Sequence, residues 1–416
     1  MKDENLFDPA AQEAERLEVN RLIASIDTAK LEEYASSLRN GIKSKIPALQ
    51  YDRTKRSSVM GGMNYHIEIR FDDAVVWLAR IRRFNSTSPP PLLRDYIIRS
   101  EVATLKFLER TAVPAPKVYG YALATDDTNN VGTGYILMEK MTGRSFNKSK
   151  SSNTQLRKVV LQLSDIYVEL SKYPFQLMGS LDHPGTTHVG SFARESLTDV
   201  NGPKTTAIGP CSSFEEFYTA SIQLTLDLII RREMYAEQAI DAYLIHRFLL
   251  DDVLPRISIR SSQEPQFFLK HPDDKGDHIL VDDDYNITGI IDWEWSYTAP
   301  VELAFNSPIM LLPVARFYNG EQSICEEEEY FASCLKSKGT EQLAKAVKAG
   351  RIQHFFSFCC GYDLGDWTGF LGLFQGLRDA AGIDEDIAWD QWRMKALRRY
   401  ESDEGLQFVL HSFDET

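Results

Sequence analysis

At 416 residues, with 43% hydrophobic and 25% charged side chains, the chain is long enough for two or three domains of roughly 150 residues, each with its own core. A net charge of −14 argues against a nucleic-acid-binding surface, which needs clustered Lys and Arg, and is compatible with a cationic small-molecule partner. Five cysteines without a CxxC pair, an acidic start (MKDENLFDPAAQEAERLEV) and no apolar run of about 18 residues set the expectation of a cytoplasmic protein with reduced thiols, no secretory leader and no membrane partner.

Residues 9–50 read as helix. Asp8-Pro9 joins a capping carboxylate to Pro at the first helical position, and Asp27 can cap a second segment, TAKLEEYASSLRN. From 57 to 83 the texture changes to two strand-like runs, Tyr65–Phe71 and Ala74–Ile81, joined at Asp72-Asp73 and preceded by Gly61-Gly62. This is the pattern of a small antiparallel meander. Residues 92–110 are helical and stop at VPAPK, where Pro114 and Pro116 forbid continuation. Gly134–Met141, GYILMEKM, is another strand, ended by Thr142-Gly143. The polar stretch NKSKSSNT then leads to helical patterns at 154–171, 213–235, 237–256, 340–361 and 385–401. The predicted organisation is a helical extension over 1–50, a small sheet domain over 51–141 and a larger helical domain over 142–416, with a hairpin at 271–295.

That hairpin segment, HPDDKGDHILVDDDYNITGIIDWEW, places eight acidic side chains among apolar strand residues. Ile279–Val281 and Ile287–Ile291 are short strands, and Asp282-Asp283-Asp284-Tyr285-Asn286 has the length and residue types of a turn. Antiparallel pairing divides the acids into two sets. Asp282–Asp284 sit at an exposed tip, whereas Asp273, Asp277 and Asp292 converge with His278 at the open end. A carboxylate at the edge of a core needs a partner, and several converging carboxylates suit a bound cation, so Asp273 and Asp292 read as metal or phosphate residues. An EF-hand loop starting at Asp284 is rejected, because its twelfth position is Trp295 and its flanks are strands. A metallo-hydrolase pattern at Asp273-x-Lys275-x-Asp277-His278 lacks its first two His ligands.

His271-Pro272-Asp273, His278-Ile-Leu-Val-Asp282 and Gly289-Ile-Ile-Asp292-Trp293-Glu294 together resemble the aminoglycoside phosphotransferase (APH)-like family. The resemblance implies an α+β, two-lobed protein-kinase-like fold with a small antiparallel-sheet N-lobe and a larger, mostly helical C-lobe. It implies that Asp273, in its motif with His271, is the catalytic residue that orients or deprotonates an acceptor hydroxyl. Asp292 is the implied metal ligand, with His278 and Asp277 auxiliary. In such folds a strand cation touches the nucleotide phosphates and pairs with a helix Glu; Arg80 and Glu101 occupy those places. Glu101 lies on a row with Ile97 and Leu105, so an acid on an apolar stripe seeks a cation there or else reaches for solvent. Gly61-Gly62 would let backbone approach phosphates, and the segment with Glu139 and Met141 would be the hinge that holds adenine.

Three positions depart from the family pattern. His278 stands where the family has a metal-binding Asn, Arg80 stands for the strand Lys, and no full G-x-G-x-x-G is present. Imidazole suits Mn²⁺ or Zn²⁺ better than Mg²⁺. The expected activity is transfer of phosphate from ATP (GTP is the alternative) with Mg²⁺ (or Mn²⁺) to a hydroxyl of a small molecule. A nucleotide-binding pseudokinase serving as an interaction module, and more distantly a metallo-hydrolase, are the other readings. Of the remaining residues, His183 and His188 lie on a Gly/Pro-rich loop with no evident partner, and His246 and His354 read as packed. Glu326–Glu329 reads as a solvated helix face, and Trp367, Trp389 and Trp392 as core.

Overall fold

The computed structural model describes residues 9–52, 63–85, 88–202, 204–257, 266–362 and 365–413. They divide into two compact units. The first comprises Met1–Ser145, Leu181–His188 and Ile279–Trp295, and the second comprises Phe146–Ser180, Val189–His278 and Ser296–Thr416. The strands of the 271–295 segment therefore group with the sheet unit, while 271–278 belongs to the helical unit.

The sheet unit contains α1 (Pro9–Ser25), α2 (Thr28–Ser37), β1 (Ser44–Lys45), β2 (Asn64–Phe71), β3 (Val76–Arg82), α3 (Pro91–Leu108), β4 (Val118–Ala122), β5 (Tyr135–Glu139) and β6 (Arg144–Ser145). The expected helical stretch over 9–50 divides at Asp27 into two helices, as the capping residue indicates, and ends in a short strand rather than more helix. Asp27 ends the first helix by capping the second, its carboxylate accepting the Lys30 amide hydrogen at 3.0 Å. Ala74 lies in the β2–β3 turn with φ +66° rather than in β3. The five-stranded sheet has the order β1-β2-β3-β5-β4, with all neighbours antiparallel.

Alternation decides what each sheet face holds. Tyr65, Ile67, Ile69 and Phe71 of β2 join Trp77, Ala79 and Ile81 of β3 in one core with Val19, Leu22, Leu31 and Ala35 of the first two helices. The other face carries Asn64 and His66 of β2 and Arg80 and Arg82 of β3, in the registers Asn64↔Arg82 and His66↔Arg80. One face is therefore apolar, and the other concentrates polar groups.

The helical unit contains the helices Asn153–Leu170, Phe214–Ile230, Ala239–Phe248, Glu326–Ser337, Glu341–Ala349, Arg351–Gly361, Trp367–Ala381, Trp389–Arg399 and Glu404–Phe413 among its described residues. The expected helix over 340–361 breaks at Gly350 into two. Trp392 is buried as expected, against Phe374 and Phe248. His246 and His354 are also buried, hydrogen-bonded to the carbonyls of Ala242 and Ser307 at 2.7 and 2.8 Å. The reading of Glu326–Glu329 as a solvated face is corrected at Glu328, which is 1% exposed and paired with the buried Arg351 at 2.7 Å. The helical period turns one acid in such a run inward, and a cation must meet it there. Among the described residues no helix is long and apolar enough to cross a membrane.

Candidate active site

In the sheet unit the polar face of the sheet becomes a buried charge cluster centred on Arg80. Its Nη1 lies 3.1 Å from Glu101 Oε1 on α3. Its Nη2 donates to Asp292 Oδ1 at 2.6 Å and to Glu294 Oε2 at 2.9 Å. Glu294 also accepts from Asn64 Nδ2 at 2.9 Å and pairs with Arg82. Arg80, Arg82, Glu101 and Glu294 are all under 9% exposed, whereas the Asp292 side chain is 51% exposed. Buried ions are tolerated only when paired and hydrogen-bonded. Two arginines set against three carboxylates satisfy that condition while one carboxylate keeps an open side.

The cluster shifts the titration of its neighbours. Burial pushes the Glu101 carboxyl up to about 7, with Arg80 opposing. The rise prevails because the single charge of Arg80 is shared with Asp292 and Glu294. Burial, with the positive charge of Arg80, drives the His66 imidazole down to about 4.

Asp292 is carried by the expected hairpin. Ile279–Val281 and Ile287–Ile290 pair antiparallel with Ile279↔Ile290 and Leu280↔Gly289. A third strand, β6, adds to the pair through Leu280↔Ser145 and Val281↔Arg144. At the tip, Asp283 and Asp284 are exposed as expected. Asp282 closes the turn, its carboxylate accepting the amide hydrogens of Asp284 and Asn286 at 3.0 and 2.8 Å. Beyond the hairpin, Trp293 is 1% exposed and donates Nε1–H to the Ile290 carbonyl at 2.8 Å. Next to this buried ring Asp292 adopts φ +65°, an uncommon conformation for a non-glycine residue.

In the helical unit the strand Phe267–Lys270 pairs with Tyr297–Pro300, and its buried residues lead directly into His271–His278. Asp274 anchors this loop from below. It is 5% exposed, accepts the Ile309 amide hydrogen at 2.9 Å, and gives its carbonyl to the Met310 amide at 3.1 Å. Gly276 has φ +110°, and a Cβ there would press on Met310, so the bend requires glycine. Asp273 is left at the loop's outer side. Its side chain is 41% exposed, with Lys275 Nζ at 3.0 Å. The Asp273 amide donates to His271 Nδ1 at 3.2 Å. His278 is 7% exposed, its ring stacked on His271 at 4.3 Å, while Asp277 faces solvent.

The expected hinge residue Glu139 ends β5, with its amide bonded to the Lys117 carbonyl at 2.8 Å, and Met141 lies over Gly289 of the hairpin. Gly61 and Gly62 lie outside the described residues. Sequence reasoning missed Arg82, Asn64 and Glu294. The available signal was alternation, since 64, 80 and 82 share a sheet face and Glu294 sits two residues from Asp292.

The model of the phosphotransferase enzyme family matches residues 76–302. Two subtelomeric hrmA-associated cluster proteins of Aspergillus fumigatus are 31% identical over 128 residues, which is 30% of this chain and 23% of theirs. A candidate fructosamine-3-kinase from Thermobifida fusca aligns over 84% of this chain and 98% of its own, with TM-score 0.50 at 14% identity. A candidate aminoglycoside phosphotransferase from Ralstonia eutropha covers 90% and 99%, with TM-score 0.47 at 13% identity. At 14% identity the first of these likenesses speaks for fold alone, here the protein-kinase-like α+β fold with a small antiparallel sheet and a larger helical part. The family match spans more than half of the chain, and the chain belongs to the APH phosphotransferase enzyme family.

Proposed function

We propose that this protein transfers the γ-phosphoryl group of ATP, with a divalent metal ion, to a hydroxyl of a small molecule. The observation that carries this reading is Arg80, a buried guanidinium bonded both to Glu101 on α3 and to Asp292 beyond the hairpin. A strand cation held by a helix acid, next to a carboxylate with an open side, is the equipment that phosphoryl transfer in this fold demands.

When bound, the nucleotide supplies the phosphoryl group and the ion offsets the charge that develops on its oxygens. The half-exposed Asp292 offers the carboxylate oxygen that a hard dication takes, and Asp277, exposed on its own loop, offers the same kind of donor. The buried His278 ring would tilt the preference toward Mn²⁺ if it ligates. Arg80 would keep Glu101 and turn its second amino group from Asp292 toward the phosphates, its planar fork suited to both. Backbone at Glu139–Met141 would hold the base, and Gly61-Gly62 the phosphates. Asp273, exposed and held by its amide bond to His271, would orient the acceptor hydroxyl and accept its proton.

A second reading has its own support. Arg80 Nη2 lies 2.6 Å from Asp292, so a pseudokinase could keep this ion pair closed permanently. Thermal-shift titration with ATP and GTP against Mg²⁺, Mn²⁺ and Zn²⁺ separates the cases when paired with turnover. A metal-dependent nucleotide shift in wild type, absent from a folded Asp292→Ala variant, is expected. An unchanged shift in that variant overturns the metal assignment, and nucleotide binding without turnover on any acceptor supports the module.

A further inference from the structure

We propose that Asp182, His183 and His188 form a binding site for a first-row transition-metal dication of the Zn²⁺ class, using none of the residues assigned to phosphoryl transfer. The segment Asp182-His-Pro-Gly-Thr-Thr-His188 belongs to the sheet unit and folds back on itself. Gly185, at φ +85°, turns the chain, and the Thr186 amide and hydroxyl both donate to the His183 carbonyl, at 3.1 and 2.9 Å. The Thr186 hydroxyl also accepts the His188 amide hydrogen at 3.1 Å. Arg110, beyond α3, donates to the Gly185 carbonyl and fastens the loop. The two imidazoles end side by side, with ring centroids 4.4 Å apart and planes at 69°.

Both rings aim Nδ1 at one carboxylate oxygen. His183 Nδ1 is 2.7 Å and His188 Nδ1 2.6 Å from Asp182 Oδ1, and the three ligand atoms all lie within 4.8 Å of one another. Asp182 is 7% exposed, and its second oxygen has the Tyr96 hydroxyl of α3 at 3.4 Å. The rings are open to solvent, their side chains 59% and 57% exposed.

A buried carboxylate calls for positive charge. A dication supplies it in one step and takes a lone pair from each ring. Two imidazole nitrogens and one carboxylate oxygen form a borderline-soft set that suits Zn²⁺, Co²⁺ or Ni²⁺ and disfavours Mg²⁺. Ligand distances of about 2 Å require the rings to swing apart slightly, which their exposure allows. Three protein ligands leave a fourth position facing water, as in an open zinc site.

The test is calorimetric titration of tag-free, chelator-treated full chain with Zn²⁺, with Co²⁺ as a spectroscopic reporter. One equivalent is expected, together with visible Co²⁺ bands of a nitrogen–oxygen site and no competition from millimolar Mg²⁺. His183→Gln with His188→Gln, and separately Asp182→Asn, should weaken binding on the order of 100-fold or more. Circular dichroism and a nucleotide-induced thermal shift identical to wild type establish that the variants are folded. The His substitutions are at exposed positions, so they remain informative if Asp182→Asn fails to fold. No stoichiometric binding that resists millimolar Mg²⁺ in wild type, or a Mg²⁺-resistant equivalent bound as tightly by the double His variant, overturns the proposal.

Discussion

The Arg80 cluster of the sheet unit and the His271–His278 loop of the helical unit handle charge in opposite ways. In the cluster, two arginines and the acids Glu101 and Glu294 are buried, and each has a charged partner at hydrogen-bond range or closer. In the loop the buried acid, Asp274, accepts the Ile309 amide hydrogen and has Lys270 Nζ at 3.4 Å, so the contrast lies at Asp273, which is 41% exposed with the flexible Lys275 beside it. Burial deepens the loss when a partner is removed, whereas solvent makes a pair almost dispensable. The cluster is therefore a place where charge holds structure. The loop is a place where structure holds a charge in the open, as the role proposed for Asp273 requires.

The largest stability loss is expected at the cluster. Glu294→Ala strips Arg82 and Arg80 of a shared buried partner and should cost about 3–5 kcal/mol by urea unfolding. Lys275→Ala, which removes the exposed partner of Asp273, should stay within about 0.5 kcal/mol. Equal losses at the two sites would erase the distinction. Next in size is the coupling of Arg80 to Glu101. A double-mutant cycle on Arg80→Met and Glu101→Gln should give about 1–3 kcal/mol, and additivity would mean that the two do not meet in solution.

Acidity should move the cluster in two opposing directions. His66 falls from 6.5 to about 4 on folding, so the unfolded chain takes up its proton first and stability drops as pH falls through that window. Glu101 rises from 4.5 to about 7, so its contribution is full below the lower value and lost as pH rises through the upper one. Urea midpoints between pH 4.5 and pH 7.5 should thus fall less on acidification in His66→Gln than in wild type, and fall more in Glu101→Gln. Curves parallel to wild type for both variants would show that neither group is perturbed. The smallest effect belongs to the loop: His278→Asn should shift metal preference toward Mg²⁺ by a few-fold, read as the ratio of Mg²⁺- to Mn²⁺-dependent nucleotide binding.

Much of this arrangement is legible in local sequence. The run Asp282–Asn286 between two apolar strands announces a hairpin within one element, whereas Glu101 on the Ile97–Leu105 row leaves cation and solvent open until the family motifs point to Arg80. What escapes notice needs a partner from far along the chain. Glu294 meets Asn64 from 230 residues away, and β6 joins the hairpin only after the chain has left the sheet unit and returned. Glu328 escapes differently, since in a run of four acids nothing marks which one turns inward to Arg351. Asp182 is adjacent to His183, yet the six-residue return to His188 depends on a loop that no periodicity describes.

The most direct test of phosphoryl transfer is single-turnover phosphate transfer by wild type and Asp273→Asn, across hydroxyl acceptors and with Mg²⁺, Mn²⁺ and Zn²⁺ in turn. Because the Asp273 side chain is 41% exposed and paired with the exposed Lys275, the substitution should leave fold and nucleotide affinity within a few-fold. It should lower turnover by about 10²–10⁴-fold, the usual contribution of a positioned base. Undiminished turnover in Asp273→Asn, or a wild type that binds nucleotide yet transfers nothing with any metal, would contradict the account.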